Sequence, residues 1–320
     1  MRYVITGGSG YIGGRLTELL AEREETERIL NLDVNPPQRA WPKTDYVKGD
    51  VRDRGAMREL LEREQPDALV HLAFLLNPIR DEGRMYDIDV NGTQAVLQAA
   101  SEAGTDHVLV TSSASAYGAF PDNPRPIAED WPVRGVADFS YARDKTDADR
   151  VCQLWAADHP DRTMTIVRPS IVFGPNVDNY LVRTWERAKF MPLIDGVVEE
   201  FQLVHEDDVV SALVLLLDGR EDGAFNLAGD GTMTWKESGE LVGLKSREIS
   251  MRTVYRIYSL LWRLHAGGVE APAGNLRFLR YPWLISNDKL KAAGWEPTKT
   301  TRETFEETMA LCGNRVSSAR

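Results

Sequence analysis

Arg2-Tyr3-Val4-Ile5-Thr6-Gly7-Gly8-Ser9-Gly10-Tyr11-Ile12-Gly13 opens the chain. Its first five residues are mostly aromatic and β-branched and read as a strand. Gly7, Gly10 and Gly13 follow at intervals of three, and an amphipathic stretch over 12–24 begins inside them. A strand that turns through glycines into a helix makes a phosphate cradle. Without a Cβ the backbone can turn sharply and approach a pyrophosphate closely. The helix start adds unpaired N–H groups and a partial positive charge. The spacing departs by one residue from Gly-x-Gly-x-x-Gly, so the loop alone also fits a strand–helix turn with no ligand.

Outward from this turn the alternation continues. Further strands are expected at 28–33, 44–48, 67–72, 107–112 and 163–168, with helices near 53–65, 84–104 and 140–158. Such alternation implies a parallel sheet covered on both faces. The expected fold class is therefore α/β, a Rossmann-type doubly wound parallel sheet with right-handed crossovers. After Arg168-Pro169 the pattern breaks. Residues 174–200 are rich in Gly, Pro and Asn, a strand–helix unit returns over 201–218, and another strand follows near 224–227. The remainder, 229–320, reads as mostly short helices and loops. This suggests a dinucleotide-binding domain of 1–173 and 201–227, with a smaller, mostly helical substrate lobe of 174–200 and 228–320.

The 320 residues are enough for two lobes. A hydrophobic content of 42% and a charged content of 27% are ordinary for a soluble globular protein. There is no apolar run long enough for a membrane span, and the strand at the N-terminus leaves no room for a signal peptide, so a cytoplasmic location is expected. Cys152 and Cys312 stand apart and imply neither a disulfide framework nor a metal site. A formal net charge of −11 argues against a nucleic-acid binder.

Asp33 ends the second strand, 20 residues after Gly13. A carboxylate there can accept hydrogen bonds from the adenosine ribose and would repel a 2′-phosphate, favouring NAD over NADP. Arg39 nearby keeps NADP open. Asp50-Val51 follows the third strand, where the carboxylate can face the adenine amino group or cap the helix at 53–65. Farther on, Tyr141 and Lys145 stand four residues apart and share a helix face. A phenol titrates near 10. Lowering that by three units takes roughly 4 kcal/mol, which a neighbouring ammonium and a nicotinamide cation can supply in a partly dry cleft. Ser113, after the fifth strand, can hydrogen-bond a substrate oxygen. Together these residues describe a site where a phenol moves a proton while a dinucleotide moves a hydride.

At this point the sequence resembles the extended short-chain dehydrogenase/reductase superfamily, in the branch of NAD-dependent epimerase/dehydratases. The likeness runs through Thr6–Gly13, His71-Leu72-Ala73, Asn91-Gly92-Thr93, Ser112–Gly118, the Tyr141/Lys145 pair, Arg168–Pro175, His205–Val209 and Asp288–Pro297. It implies that Tyr141 is the acid/base, that Lys145 binds the nicotinamide ribose and tunes Tyr141, and that Ser113 completes the triad. The implied cofactor contacts are Gly7, Gly10, Tyr11, Ile12, Gly13 and Asp33 near the first two strands. Asp50, Val51, Leu72, Ala73, Asn91, Thr111, Pro169 and Ile171 join them with the Tyr141/Lys145 pair. Ser113, Ser115, Tyr141 and Asn179 would face the substrate. A homodimer through the helices at 84–104 and 140–158 is implied as well; no metal is.

Dehydratases and decarboxylases of this family carry acids beside the serine, where Ala114 and Ser115 stand here. No cysteine occupies the site used by two-centre epimerases. What remains is reversible oxidation of a secondary alcohol. The serine segment resembles that of UDP-galactose 4-epimerases, so a nucleotide-sugar 4-epimerase is the first expectation. Ile171 replaces the Asn that contacts the substrate in many nucleotide-sugar enzymes, with Asn176 or Asn179 as substitutes, and it fits equally a dehydrogenase/reductase of an apolar hydroxy or keto substrate. A non-catalytic NAD(P)-binding regulator is a lesser alternative. Arg183, Arg187 and Lys189 can meet a pyrophosphate or simply be solvated. His205–Asp208 is expected to open a helix. The apolar, aromatic segment 254–264 reads as packing of the small lobe, as a substrate wall, or as an interfacial membrane helix.

Overall fold

The computed structural model describes residues 1–318, with side chains through Leu311, so the Cys312 side chain lies outside the described residues. Seven strands form one parallel sheet: β1 (Arg2–Thr6), β2 (Arg28–Asp33), β3 (Thr44–Lys48), β4 (Ala68–His71), β5 (His107–Thr111), β6 (Thr163–Pro169) and β11 (Gly223–Leu227). Their order is β11-β6-β5-β4-β1-β2-β3. From β1 the chain builds outward to β2 and β3, then returns to build β4, β5, β6 and β11 on the other side. The reversal opens a crevice between the carboxyl ends of β1 and β4, where ligands of doubly wound sheets bind. All four residues of β4 are buried, as a central strand requires.

Helices cover both faces. On one, α1 (Tyr11–Glu22) and α7 (Glu206–Gly219) lay Leu16, Leu20, Leu213 and Leu216 on the sheet. On the other, α2 (Arg54–Glu64), α4 (Gly92–Ala103) and α5 (Ser140–Asp158) contribute Met57, Leu61, Val96, Leu97 and Trp155. The helix expected over 84–104 arrives in three consecutive pieces: α3 (Glu82–Tyr86), a π-helical turn Asp87–Asn91, and α4. The cap of α2 is Asp53, whose carboxylate accepts from Ala56 N at 3.0 Å; Asp50 does not cap it.

The rest of the chain forms small paired strands and helices beyond the sheet's carboxyl edge. β7 (Ile171–Phe173) pairs with β10 (Leu203–His205), β8 (Met191–Ile194) with β13 (Ser246–Ile249), and β9 (Glu200–Phe201) with β12 (Met233–Thr234). Around them lie α6 (Tyr180–Arg187), α8 (Trp235–Leu241), α9 (Met251–Arg263) and α11 (Thr301–Ser318), while α10 (Asp288–Ala292) returns to pack on the edge strand β11, where Lys289 Nζ donates to the Ala224 carbonyl at 2.8 Å. Their core is aromatic: Phe201 stacks on Trp235 at 4.1 Å between ring centroids, and Trp185 meets Phe305 edge-on at 5.3 Å. This region holds longer helices than its broken hydrophobic pattern suggested, because α11 runs 18 residues and α9 runs 13.

Candidate active site

The glycine turn sits at the crevice. Gly7 has φ +74°, and a Cβ there would lie 2.6 Å from the Ala73 amide nitrogen, so β1 and β4 approach each other too closely for any side chain. A Cβ on Gly13 would lie 2.1 Å from the Gly7 carbonyl, which holds α1 against the turn. The N-cap of α1 is Gly10, with no side-chain cap and no acid in the first turn. Its N–H groups are therefore left to an anion. Asp33, at the end of β2, accepts from Ser9 N at 3.1 Å and Asn35 N at 2.9 Å, which places its carboxylate beside the turn. The turn is braced from below by Glu206, fully buried at the head of α7. Glu206 accepts from the Tyr11 hydroxyl and from the backbone and side-chain amides of Asn176. Tyr11 and Asn176 are thus tied to a structural carboxylate.

On the other side of the crevice, α5 brings Tyr141 and Lys145 to the carboxyl end of β5. Lys145 Nζ donates to the Thr111 carbonyl at 2.8 Å and lies 3.5 Å from the centroid of the Phe74 ring. The same ring meets Tyr141 edge-on at 6.0 Å. Ser113 lies within the hydrogen-bonded turn after β5. Its Oγ accepts from Ser115 N at 3.1 Å and from Ser115 Oγ at 2.9 Å, and its hydroxyl acts on the Tyr141 phenol to lower its pKa. Burial pushes the Tyr141 phenol up to about 12, against the lowering effect of Ser113. These surroundings alone therefore keep the phenol protonated at neutral pH. Burial also pulls Lys145 below the ordinary lysine range, opposed by the Asp89 carboxylate.

Below them His71 joins the two halves, with Nδ1 2.6 Å from Thr6 Oγ1 and Nε2 3.0 Å from Thr93 Oγ1. Burial, with Lys145 nearby, lowers its pKa to about 3, so it remains neutral while bridging β1 and α4.

Other expected residues have partners or burial of their own. Asn91 faces solvent and its amide donates to Asp87 at 3.0 Å; Asp89 takes the inward place in the same turn. The π-helical turn carries both and precedes α4, and such turns shift the phase of the following face. Asp50 is engaged by the Arg52 guanidinium at 2.6 Å and held below the usual carboxylate range. Val51 is buried in the core against Gly92. Asn179 is buried as the N-cap of α6, its side-chain oxygen accepting from Val182 N at 3.0 Å. Arg183 and Arg187 both pair with Glu270, at 2.8 and 2.5 Å, which occupies them in holding α6 to the segment after α9. Leu72, Ala73 and Ile171 are half-buried, and Pro169 is buried at the end of β6.

The sequence pattern did not single out Phe74, Asp89 or Tyr180. Tyr180 is buried in the aromatic cluster against which Tyr141 packs, and its phenol is electrostatically linked to those of Tyr141 and Tyr258. Asp89 left a legible signal: it stands on the line Met85, Thr93, Val96 and Ala100, otherwise buried and free of charge. One of its oxygens accepts from Leu75 N at 2.8 Å, while the other has no partner. Burial raises its pKa. A negative charge at Asp89 raises the pKa values of both Tyr141 and Lys145. In Asp89→Asn that charge is absent, so the alkaline limb of the pH–rate profile, above the Asp89 pKa of about 8, is expected to move about one unit toward acid. A profile that stays in place would show that Asp89 is neutral during turnover.

A protein-family model described as the NAD dependent epimerase/dehydratase family matches residues 3–228. An uncharacterized protein of Mycobacterium tuberculosis (strain ATCC 25618 / H37Rv) is 24% identical over 95% of this chain and 82% of its own length. N-acetyl-alpha-D-glucosaminyl-diphospho-ditrans,octacis-undecaprenol 4-epimerase of Escherichia coli O157:H7 is 31% identical over 59% of this chain and 55% of its own length. Among solved structures, the UDP-glucose 4-epimerase of Thermus thermophilus, in complex with NAD, superposes with a TM-score of 0.73 at 20% identity over 97% of this chain and 98% of that one. The dTDP-glucose 4,6-dehydratase DesIV of Streptomyces venezuelae gives a TM-score of 0.73 at 22% identity over 98% and 97% of the two chains. At these identities the structural likeness establishes a shared fold. With more than half of its length matched by the family model, the chain belongs to the NAD dependent epimerase/dehydratase family.

Proposed function

We propose that the protein is an NAD-dependent enzyme that oxidises a secondary alcohol reversibly, and that its substrate is a sugar nucleotide epimerised at one carbon. The observation that carries this reading is the convergence of Tyr141, Lys145 and Ser113 on one side of a crevice whose other side is the glycine turn. The uncapped start of α1 fits a pyrophosphate, Asp33 fits ribose hydroxyls, and Lys145 Nζ is close enough to the phenol's surroundings to serve the second ribose. NAD, when bound, accepts a hydride from the alcohol carbon and can return it.

The chain's own residues handle the proton. Ser113 Oγ holds the substrate oxygen and orients it toward Tyr141. The Tyr141 phenolate takes the hydroxyl proton as the carbon loses its hydride. The ammonium of Lys145 and the positive charge of the bound cofactor stabilise that phenolate against the burial that raises its pKa. Ala114 and the hydroxyl of Ser115 replace the acids that elimination of water requires, so the ketone has no route to dehydration. In this reading 1–173 and 201–227 hold the nucleotide, and 174–200 with the segment from 228 onward hold the sugar.

The relative from Escherichia coli O157:H7 carries the name of a 4-epimerase, which supports the same class. A second reading, dehydrogenation of an apolar alcohol, is favoured by the apolar surroundings of Tyr141: Phe74 meets its ring edge-on, and Ile171 packs against the same aromatic cluster. Purified protein should be washed extensively, denatured and assayed for released nicotinamide dinucleotide, then given UDP-glucose and UDP-galactose. Retained NAD and interconversion without net redox support epimerisation. Empty protein that reduces added NAD with an apolar alcohol supports the second reading. Protein that moves no hydride with either class of substrate sinks both.

Asp33 gives a separate expectation. Its carboxylate would repel a 2′-phosphate, so NAD should bind tighter than NADP by at least about tenfold. Asp33→Ala should narrow that gap, chiefly by weakening NAD, in a titration of cofactor fluorescence. An unchanged ratio would place the ribose elsewhere.

A further inference from the structure

Helix α9 is unlike the other long helices of the molecule. None of its residues is buried, although it carries Val254, Tyr255, Ile257, Tyr258, Leu260, Leu261 and Trp262. Its inner side is held by a few contacts. Met251 N donates to Asp195 at 2.8 Å, the Tyr255 hydroxyl donates to Asp138, and the Arg80 guanidinium lies 3.3 Å from the centroid of the Trp262 indole. The outer side has two rows. Ile257 is 52% exposed, Leu260 56% and the C-cap Leu264 64%, at helical spacing that lines them up. Beside this apolar row stand Arg252, Arg256 and Arg263, all exposed and also aligned on the helix. Among the described residues none of these three has an ion-pair partner.

The local charge is the reverse of the whole. Residues 249–269 contain no Asp or Glu, in a chain whose formal net charge is −11. A basic row beside an exposed apolar row on one helix face is the pattern of a helix lying in a lipid–water interface, with apolar side chains at the acyl boundary and guanidinium groups at the phosphates. Among the described residues no helix is long and apolar enough to cross a membrane, so such a contact would be peripheral. Pairing of this face with a second copy about a two-fold axis would bring the two unpaired arginine rows together. The face also points away from the Arg80–Trp262 contact that joins α9 to the loop after β4, so it is not the wall of the cleft.

We propose that α9 docks the protein on an anionic bilayer surface, with Ile257, Leu260 and Leu264 in the interface and Arg252, Arg256 and Arg263 on lipid phosphates. The rest of this acidic protein is repelled by such a surface, so docking holds one orientation, with α9 down. The cleft mouth beside the α9–Arg80 contact is then near the headgroups.

The test is co-sedimentation of the full chain with vesicles of phosphatidylcholine alone and of phosphatidylcholine with phosphatidylglycerol, at low and high salt. Binding to the anionic vesicles alone, weakened by salt, is expected. Arg252→Gln/Arg256→Gln/Arg263→Gln should weaken it about a hundredfold. Leu260→Asp should also release the protein. Because these side chains are exposed, both variants should melt at the parent temperature, which separates lost docking from lost folding. The proposal is overturned by absence of binding to anionic vesicles at low salt, by binding that survives both variants, or by a Leu260→Asp change that alters only the oligomeric mass.

Discussion

Replacing Tyr141 with Phe is expected to lower kcat by about 10²–10⁴ while cofactor affinity stays within about twofold of the parent. The substitution removes one oxygen from a ring packed between Phe74 and Phe139, whose centroids lie 6.0 and 5.9 Å away, so no cavity opens and no neighbour must move. Ser113 keeps its contacts with Ser115 and remains a satisfied hydroxyl. What disappears is the acceptor of the alcohol proton in the reaction proposed above. Single-turnover reduction of bound cofactor by substrate reads this loss directly, and equilibrium binding of NAD reads the control. Near-parental turnover would sink the assignment and point to Tyr180, the nearby phenol whose electrostatics are linked to Tyr141. A parallel loss of NAD affinity would instead mean that the ring supports the nucleotide and moves no proton.

The fold was legible because its signals are local. Buried strands such as Ala68–His71 are largely apolar, and a turn as crowded as Gly7–Gly13 admits no other residue at its tightest positions. The pair Tyr141 and Lys145 was legible for the same reason, since helical spacing alone puts both on one face. What escaped depends on contacts between distant segments. The inward place of Asp89 and the outward place of Asn91 come with a π-helical turn that the sequence pattern did not announce. The burial of Glu206 requires Tyr11, Asn176 and Gly174 to converge from separate parts of the chain. Asn179 and Arg183 looked free until the cap of α6 and the Glu270 ion pair claimed them. A polar residue in a Gly- and Pro-rich stretch has too many local hydrogen-bonding options for spacing to choose among them. Segment 254–264 divides between its readings, with its inner side held by Tyr255 and Trp262 against Asp138 and Arg80. Its apolar content suggested packing, yet its outer row remains uncovered, and composition does not say what covers an apolar face.

Replacing Arg168 with Met is expected to cost about 3–5 kcal/mol of stability at neutral pH, more than any surface change in this protein. Arg168 lies on β6 and binds Asp149 of α5 through two parallel bonds of 2.9 and 2.8 Å. It also donates to the Tyr117 hydroxyl at 2.7 Å and to the Glu129 carbonyl at 3.0 Å. Tyr117 donates in turn to Asn226 of β11 at 2.8 Å. Asp149 is 1% exposed, yet Arg168 and its other partners hold its carboxyl below the usual range against the effect of burial. Met fills most of the lost volume but leaves this carboxylate without its cation. The sign of the pH dependence follows. In the parent a lowered folded pKa makes Asp149 stabilising above its unfolded pKa, and that contribution is lost as pH falls through the folded value. In the variant the Gln153 amide remains as a donor to Asp149 at 2.7 Å, but without the guanidinium burial prevails, the folded pKa rises above the unfolded one, and stability falls as pH increases between the two. Urea unfolding at pH 7 and pH 5 should therefore show a smaller gap between parent and variant at the lower pH. Arg168→Met/Asp149→Leu should recover most of the loss, because two apolar groups in that space need no counter-charge. A gap below about 1 kcal/mol, or one independent of pH, would mean that water reaches the pair. The network also bears on catalysis through geometry. Asp149 and Tyr141 share α5, while Tyr117 closes the turn that carries Ser113, so one guanidinium sets the position of the phenol's helix against that of the serine's turn. Loss of that register should lower kcat in Arg168→Met even at temperatures where the variant is fully folded.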